Sequence, residues 1–309
     1  MSIRQVLLTL ALLAASADAR SPERLRVVTT IPDLADIVSV IGGDRVEVSS
    51  IAKGRENVHA VNVKPSHLIA LSRADLFVEM GMSLEHAWVP GLLMAARNAH
   101  VRPGGDGFVN ASVGWTAIEV PETLSRRQGT DIHPEGNPHF NLDPDAGRHL
   151  ADAVLAGLVR VDPKSESAYR ARHAAYVERI DAARERWDAI ARRTAGHTVV
   201  EYHKTFDYLI RHLGLELVAT LEPKPGVPPT PRHLSEVIGA MRERSVEVVL
   251  TEAWSNDASV RQVTRATSAR GVELPTMVEG AEGAGSWIAL MDLLHDRLAE
   301  AFGVEAQER

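Results

Sequence analysis

The stretch at residues 165–193, SESAYRARHAAYVERIDAARERWDAIARR, runs without a glycine or a proline. Its apolar side chains recur at helical spacing, at Ala168, Tyr169, Ala175, Val177, Ile180 and Ala183. One helix of this length rises about 43 Å at 1.5 Å per residue. Such a helix is a rigid rod, so the rest of the chain has to fold around it or on either side of it.

Apolar runs alternate with helical segments on both sides of this rod. Strands are predicted at 26–31, 46–52 and 75–81 before it, and at 197–202, 215–221, 246–253 and 272–278 after it. Helices are predicted between them, including 32–43, 65–74, 84–98, 231–244, 257–270 and 285–302. Alternation of this kind is typical of parallel sheets covered by helices. The predicted fold class is therefore α/β, with two lobes, each a parallel sheet flanked by helices, joined by one long rigid helix.

The first nineteen residues have the features of a cleaved signal peptide. Arg4 precedes an apolar run at 6–15 that only a threonine interrupts, and Ala17-Asp18-Ala19 follows as a cleavage sequence. The predicted organisation is a signal peptide at 1–19, an amino-terminal lobe at 20–164, a connecting helix at 165–193 and a carboxy-terminal lobe at 194–309. Export through such a signal predicts a periplasmic protein.

Charge and cysteine content exclude several classes of function. The formal net charge of −7 argues against a nucleic-acid-binding surface. The chain has no cysteine, which excludes disulfides, thiolate ligands and a lipid anchor on a cysteine. We therefore expect a free, monomeric periplasmic protein that is large enough to bury a core without disulfides.

Three of the thirteen histidines lie where a strand ends or a helix is about to begin. His59 lies in GRENVHAVNVKPS, His139 in GNPHFNLDP and His203 in VVEYHKTFDYL. Pro138 stiffens the chain before His139, and we expect Asp143 to cap a helix that begins at Pro144. Ligands of parallel sheets bind beyond the carboxyl ends of the strands. Three imidazoles that converge between two lobes predict a divalent-metal site of the kind zinc prefers.

Two carboxylates compete for the fourth ligand position. Glu279 lies in the glycine-rich loop VEGAEGAG, and Glu252 ends the predicted strand VEVVLTEA. Either would cancel one positive charge of the metal. His133, in DIHPEGNPH, is a weaker candidate that we expect to flank the loop.

Several segments together resemble the metal-binding receptors of bacterial ABC importers for zinc and manganese, in the cluster whose lobes are joined by a long helix. The segments are VVTTIPDLADIVSVIGGDRVEVSSIAKGRENVH, VKPSHLIALSRADLFVEMGMSLE, GNPHFNLDP, EYHKTFDYLIRHLGLE and LEPKPGVPPTPRHLSEVI. The resemblance implies that His59, His139 and His203 are ligands. It also implies a preference for zinc, since similar receptors for manganese often carry glutamate at the third position.

This chain departs from the family's pattern in two places. The family's T-D-S motif is replaced here by MVEGAEG, so the fourth ligand is open among Glu279, Glu252 and water. No histidine occurs at residues 101–132, so we expect no histidine-rich loop that scavenges metal.

These observations predict a receptor that binds Zn²⁺, with Mn²⁺ as second choice, and presents it to the membrane permease of an ABC importer. A metallochaperone is a further possible partner. We expect the long helix to restrict hinge motion, so that release moves the loops carrying His203 and Glu279. The alternative is a periplasmic zinc hydrolase that uses the same histidines. The chain has no HExxH or GxSxG motif, which favours a binding protein over an enzyme.

Overall fold

The amino-terminal lobe is built on a parallel sheet of four strands, which confirms the predicted fold class. In the computed structural model, which describes residues 24–123 and 133–304, these strands are β1 (Leu25–Thr29), β2 (Val46–Ser50), β3 (Leu76–Glu79) and β4 (Phe108–Asn110). Their order is β2-β1-β3-β4, and Val27 pairs with both Val48 and Leu76. The helices of this part of the chain are α1 (Pro32–Gly42), α2 (Pro65–Ser72), α3 (Val89–Ala96) and α4 (Ala146–Val161). The predicted signal peptide at 1–19 lies outside the described residues.

The carboxy-terminal lobe repeats this arrangement. Its strands are β5 (Thr198–Glu201), β6 (Glu216–Thr220), β7 (Val248–Thr251) and β8 (Arg270–Glu273), all parallel, in the order β6-β5-β7-β8. Its helices are α6 (Asp207–His212), α7 (Pro231–Glu243), α8 (Asp257–Ala266) and α9 (Trp287–Ala301). The α5 helix (Glu166–Thr194) lies between the lobes.

The α5 helix spans Glu166–Thr194 without a break, as its lack of glycine and proline predicts. Its buried residues recur on one face, and they include Tyr169, Tyr176, Ile180, Ala183 and Trp187. The indole of Trp187 donates to Asp292 of α9 at 2.8 Å and packs edge-on against Trp287 at 5.9 Å between ring centroids. The last helix therefore packs along the long one. The lobe boundaries themselves stay a prediction.

Several helices begin at other residues than the sequence predicts. The helix predicted at 84–98 begins only at Val89, after a series of turns at 82–88 in which Met82 and Ser83 hold positive φ angles of 51° and 58°. The helix predicted to begin at Pro144 begins at Ala146, and the Asp143 carboxylate accepts the backbone N–H of Asp145 at 2.9 Å in the turn that leads into it.

Two strand predictions also need correction. The short β4 strand was not predicted, because three residues are too few to show an alternating pattern. The last strand was predicted at 272–278 and is found at Arg270–Glu273. Pro275 follows this strand and has no backbone N–H to donate to a neighbouring strand, so the chain leaves the sheet there. Among the described residues, no helix has both the length and the apolar character needed to cross a membrane.

Candidate metal centre

Three histidines meet where the two lobes face each other. One ring nitrogen of each of His59, His139 and His203 lies within 4.8 Å of those of the other two. The Nε2 atoms of His59 and His139 are 3.1 Å apart. Two nitrogens bound to one tetrahedral zinc at 2.0–2.1 Å lie about 3.3 Å apart. The two nitrogens therefore already have the separation that a shared metal requires.

Short turns hold the two histidines of the first lobe. His59 lies in a 3₁₀ turn after β2, where its backbone N–H donates to the side chain of Asn57 at 3.0 Å. The indole of Trp88 donates to the carbonyl of Val58 at 2.8 Å and fixes the same turn. The backbone N–H of His139 donates to Oδ1 of Asn137 at 3.0 Å. Both imidazoles are thus presented by backbone that is anchored before any metal binds.

Asn137 also ties the His139 loop to the second lobe. Its Nδ2 donates to the carbonyl of Lys204 at 3.0 Å and to Oδ2 of Asp207 at 2.9 Å. Its carbonyl accepts the hydroxyl of Tyr208 at 2.8 Å. The loop of the first lobe is therefore bonded directly to the segment that follows His203.

His203 follows β5 and is oriented by a buried carboxylate. Its Nδ1 lies 2.8 Å from Oε2 of Glu222, and Trp254 packs edge-on against its ring at 5.6 Å. A carboxylate can only accept, so Nδ1 carries the proton and Nε2 is left with its lone pair for a metal. Glu222 was not predicted from the sequence. It follows β6, which is the neighbour of β5 in the sheet, and the sequence does not state that adjacency.

A cleft of about 270 Å³ opens onto this cluster. His139 and His203 line it and are 5% and 4% exposed, whereas His59 is half-buried. Pro121 and Pro225 also line it, one from each lobe. The cluster is thus largely removed from water and remains reachable from solvent.

One carboxyl group, that of Glu119, lines the cleft, and Asp207 and Glu201 lie close to His203 in the chain. Burial, together with the nearby charge of Glu119, raises the pKa of Asp207 to about 7. Burial also raises the pKa of Glu201. Glu119 forms an ion pair with Lys204. Desolvation alone would raise the pKa of Glu119, but the hydrogen bond and the charge of Lys204 oppose it, and the pKa is lowered. Of these three carboxyl groups, only Glu119 has a charged form that its surroundings favour, and the ammonium of Lys204 balances that charge.

Neither predicted carboxylate belongs to the three-histidine cluster among the described residues. Glu252 is buried, and its oxygens accept the hydroxyls of Thr205 at 2.6 Å and Ser255 at 2.5 Å. Glu279 has an exposed side chain and a positive φ of 65°. A Cβ on Gly54 would lie 2.2 Å from the Glu279 backbone, so only glycine permits this close approach of the lobes.

His133 lies closer to the cluster than its sequence position indicated. Its ring centroid is 5.2 Å from that of His59, and its side chain lines the same cleft. On its other side it contacts His86, with 5.9 Å between ring centroids. His86 received no functional interpretation from the sequence, because 47 residues separate it from His133.

The chain matches a family model over residues 27–301, described as the periplasmic component A of the zinc-uptake complex, ZnuA. The iron-binding protein YfeA of Yersinia pestis is 27% identical over 308 residues, which cover 96% of this chain and 92% of YfeA. The manganese ABC transporter substrate-binding lipoprotein PsaA of Streptococcus pneumoniae is 26% identical over 293 residues, covering 91% and 89% of the two chains.

A solved structure has the same fold. The substrate-binding protein FpvC from Pseudomonas aeruginosa, in complex with Mn²⁺, matches with a TM-score of 0.77 and 23% identity. The match covers 91% of this chain and 99% of that one. The same architecture thus occurs among proteins named for zinc, iron and manganese.

Proposed function

Because this chain belongs to the ZnuA family of periplasmic metal-binding components of ABC importers, we propose that its cargo is Zn²⁺. The choice of zinc is based on one observation: a ring nitrogen of each of His59, His139 and His203 lies within 4.8 Å of those of the other two. Imidazole ligands suit zinc, whereas carboxylate-rich sites suit manganese. The donor set of this chain therefore favours zinc over the manganese in the name of PsaA.

The proposed ligands are His59, His139 and His203, with Glu279 as the fourth. The Glu279 side chain is exposed and free to reorient, and its loop runs past the cluster, since Thr276 and Met277 line a small cavity beside His139. Glu252 would have to give up two short hydrogen bonds to bind a metal. A glutamate at the fourth position would give the site one negative charge against the two positive charges of zinc.

The proposed role is capture and delivery without chemical change to the cargo. The partner is the membrane permease of an ABC importer, and a metallochaperone that loads the site is a further proposed partner. We propose a monomer in the periplasm, and we propose that it is free of the kind of lipid anchor implied by the name of PsaA, since the chain has no cysteine to carry one. The hydrolase alternative is not favoured, because relatives of this chain are named as transport proteins.

Elemental analysis of the mature protein, purified from a periplasm without chelator, tests this function. We expect about one zinc per chain, as for a single closed site. The triple change His59→Ala, His139→Ala and His203→Ala should abolish it. A control that removes three histidines elsewhere, His100→Ala, His173→Ala and His197→Ala, should keep it. Absence of metal from the wild type, or metal retained by the first triple variant, would overturn the proposal.

A further inference from the structure

A row of imidazoles leads from the surface to the metal centre. His86 contacts His133 at 5.9 Å between ring centroids, and His133 contacts His59 at 5.2 Å. The rings of His59, His139 and His203 are separated by 5.0 to 5.6 Å. The spacing along the row is therefore close to that within the cluster itself, where three nitrogens converge on one point.

Burial increases along this row. His86 is exposed, His133 and His59 are half-buried, and His139 and His203 are buried. An ion that moves along it would exchange water for imidazole one ligand at a time. It would reach the buried cluster without losing its whole hydration shell in one step.

The outermost ring is oriented as a ligand. Nδ1 of His86 lies 2.8 Å from the carbonyl oxygen of Ser83. A carbonyl only accepts, so Nδ1 carries the proton and Nε2 keeps a lone pair for a metal, as in the usual support of metal-binding histidines. The hydroxyl of Ser83 donates to Oε2 of Glu135 at 2.9 Å, which joins the turn of His86 to the loop of His133. The two rings are thus held side by side by contacts outside the main site.

We propose that His86 and His133 form a second, weaker position for Zn²⁺ at the mouth of the cleft, from which the ion passes to His59. This inference rests on the proposed function, since it assigns the entry route to that site. In the transfer, bonds from zinc to His86 and His133 are replaced by bonds to His59 and its partners, and the charge of the ion does not change. Two imidazoles and water bind zinc more weakly than three imidazoles, so the ion moves inward.

Titration of the metal-free protein with ZnCl₂ by calorimetry, combined with stopped-flow loading, tests this route. The wild type should bind one tight equivalent and one weak equivalent. His86→Ala and His133→Ala should each lose the weak equivalent, keep the tight one, and load it several-fold more slowly. His173→Ala serves as the matched control, because it removes a surface histidine that pairs with Asp152 away from the cleft, and both equivalents and the loading rate should be unchanged.

Two results would overturn the route, and they are distinguishable. A tight equivalent without a weak one in the wild type, or a weak equivalent and loading rate that survive both substitutions, would overturn the entry position alone. A wild type that lacks the tight equivalent would overturn the proposed function, and the entry route with it.

Discussion

Glu222 accepts a hydrogen bond from Nδ1 of His203 at 2.8 Å, with the two side chains only 10% and 5% exposed. The pair fixes which nitrogen of His203 faces the cleft. It also places a negative charge behind a proposed metal ligand, which makes the imidazole a stronger donor to a cation. Oε2 of Glu222 also accepts the backbone N–H of Gly226 at 3.0 Å, so the carboxylate itself is held in place.

Replacement of Glu222 by glutamine should weaken zinc binding. The amide keeps an oxygen that accepts from Nδ1 but lacks the charge, and loss of such a supporting group costs about 10- to 100-fold in affinity. Competition with a chromophoric chelator measures the change. Glu247→Gln is the matched control, because it alters an exposed pair of the same kind, with His197 Nδ1 2.9 Å from the Glu247 carboxylate. Equal affinities for Glu222→Gln and wild type would contradict this role.

The three-histidine cluster could be predicted because each of its members lies in a recognisable sequence context. His59 follows β2 of the first sheet and His203 follows β5 of the second, so each lies beyond the carboxyl edge of its own sheet, where ligands of parallel sheets bind. His139 is marked by the rigid sequence around it. Short-range patterns of apolar and turn residues were sufficient for these positions.

The contacts that complete the site depend on the order of the strands and on pairing between distant segments. Glu222 reaches His203 only because β6 lies beside β5, and the sequence does not state that order. The last strand was misplaced for a related reason. The apolar residues at 274–278 were assigned to the sheet, but they leave it to contact the first lobe, where Asp33 accepts the N–H of Val278 at 3.0 Å.

Measuring the zinc affinities of the Glu279→Gln and Glu252→Gln variants identifies the fourth ligand. If Glu279 binds the metal, its amide variant should lose at least about tenfold in affinity, since a carboxylate ligand and its charge are both removed. Glu252→Gln should change affinity less, because its carboxylate already accepts from Thr205 and Ser255. Glu282→Gln is the control on the same loop, with a side chain that is also exposed. Unchanged affinity in Glu279→Gln would leave water or Glu252 as the fourth ligand.

A buried histidine far from the metal centre should make stability depend on pH. His295 lies on α9 and is fully buried against α5, where its ring stacks on Trp187 at 5.5 Å and its Nδ1 donates to the carbonyl of Met291 at 2.6 Å. Burial lowers its pKa from 6.5 to about 3. Its Nε2 has no hydrogen-bond partner among the described residues, so a second proton would be a buried and uncompensated charge.

The direction of the pH effect follows from this lowered pKa. The contribution of His295 is fully present above the unfolded value of 6.5 and is lost as the pH falls towards 3. Within that window, protonation of His295 in the unfolded state lowers the free energy of unfolding by about 1.4 kcal/mol for each unit by which the pH falls. Urea unfolding with chelator present, from pH 7 to pH 4, should show this component in the wild type and not in His295→Leu. Equal slopes for the two proteins would contradict the prediction.

Loss of the Asp33 carboxylate should loosen the loop that carries Glu279. Asp33 is fully buried, and it accepts the N–H of Val278 at 3.0 Å and Nδ2 of Asn141 at 3.1 Å. In Asp33→Ala both donors lose this acceptor, and each buried donor left unsatisfied costs about 1–3 kcal/mol. We therefore expect a lower free energy of unfolding and faster hydrogen exchange at the Val278 amide. Asp44→Ala is the control, since its ion pair with Arg172 is exposed and worth less than about 1 kcal/mol. Unchanged protection of Val278 in Asp33→Ala would show that this loop is held to the first lobe by other contacts.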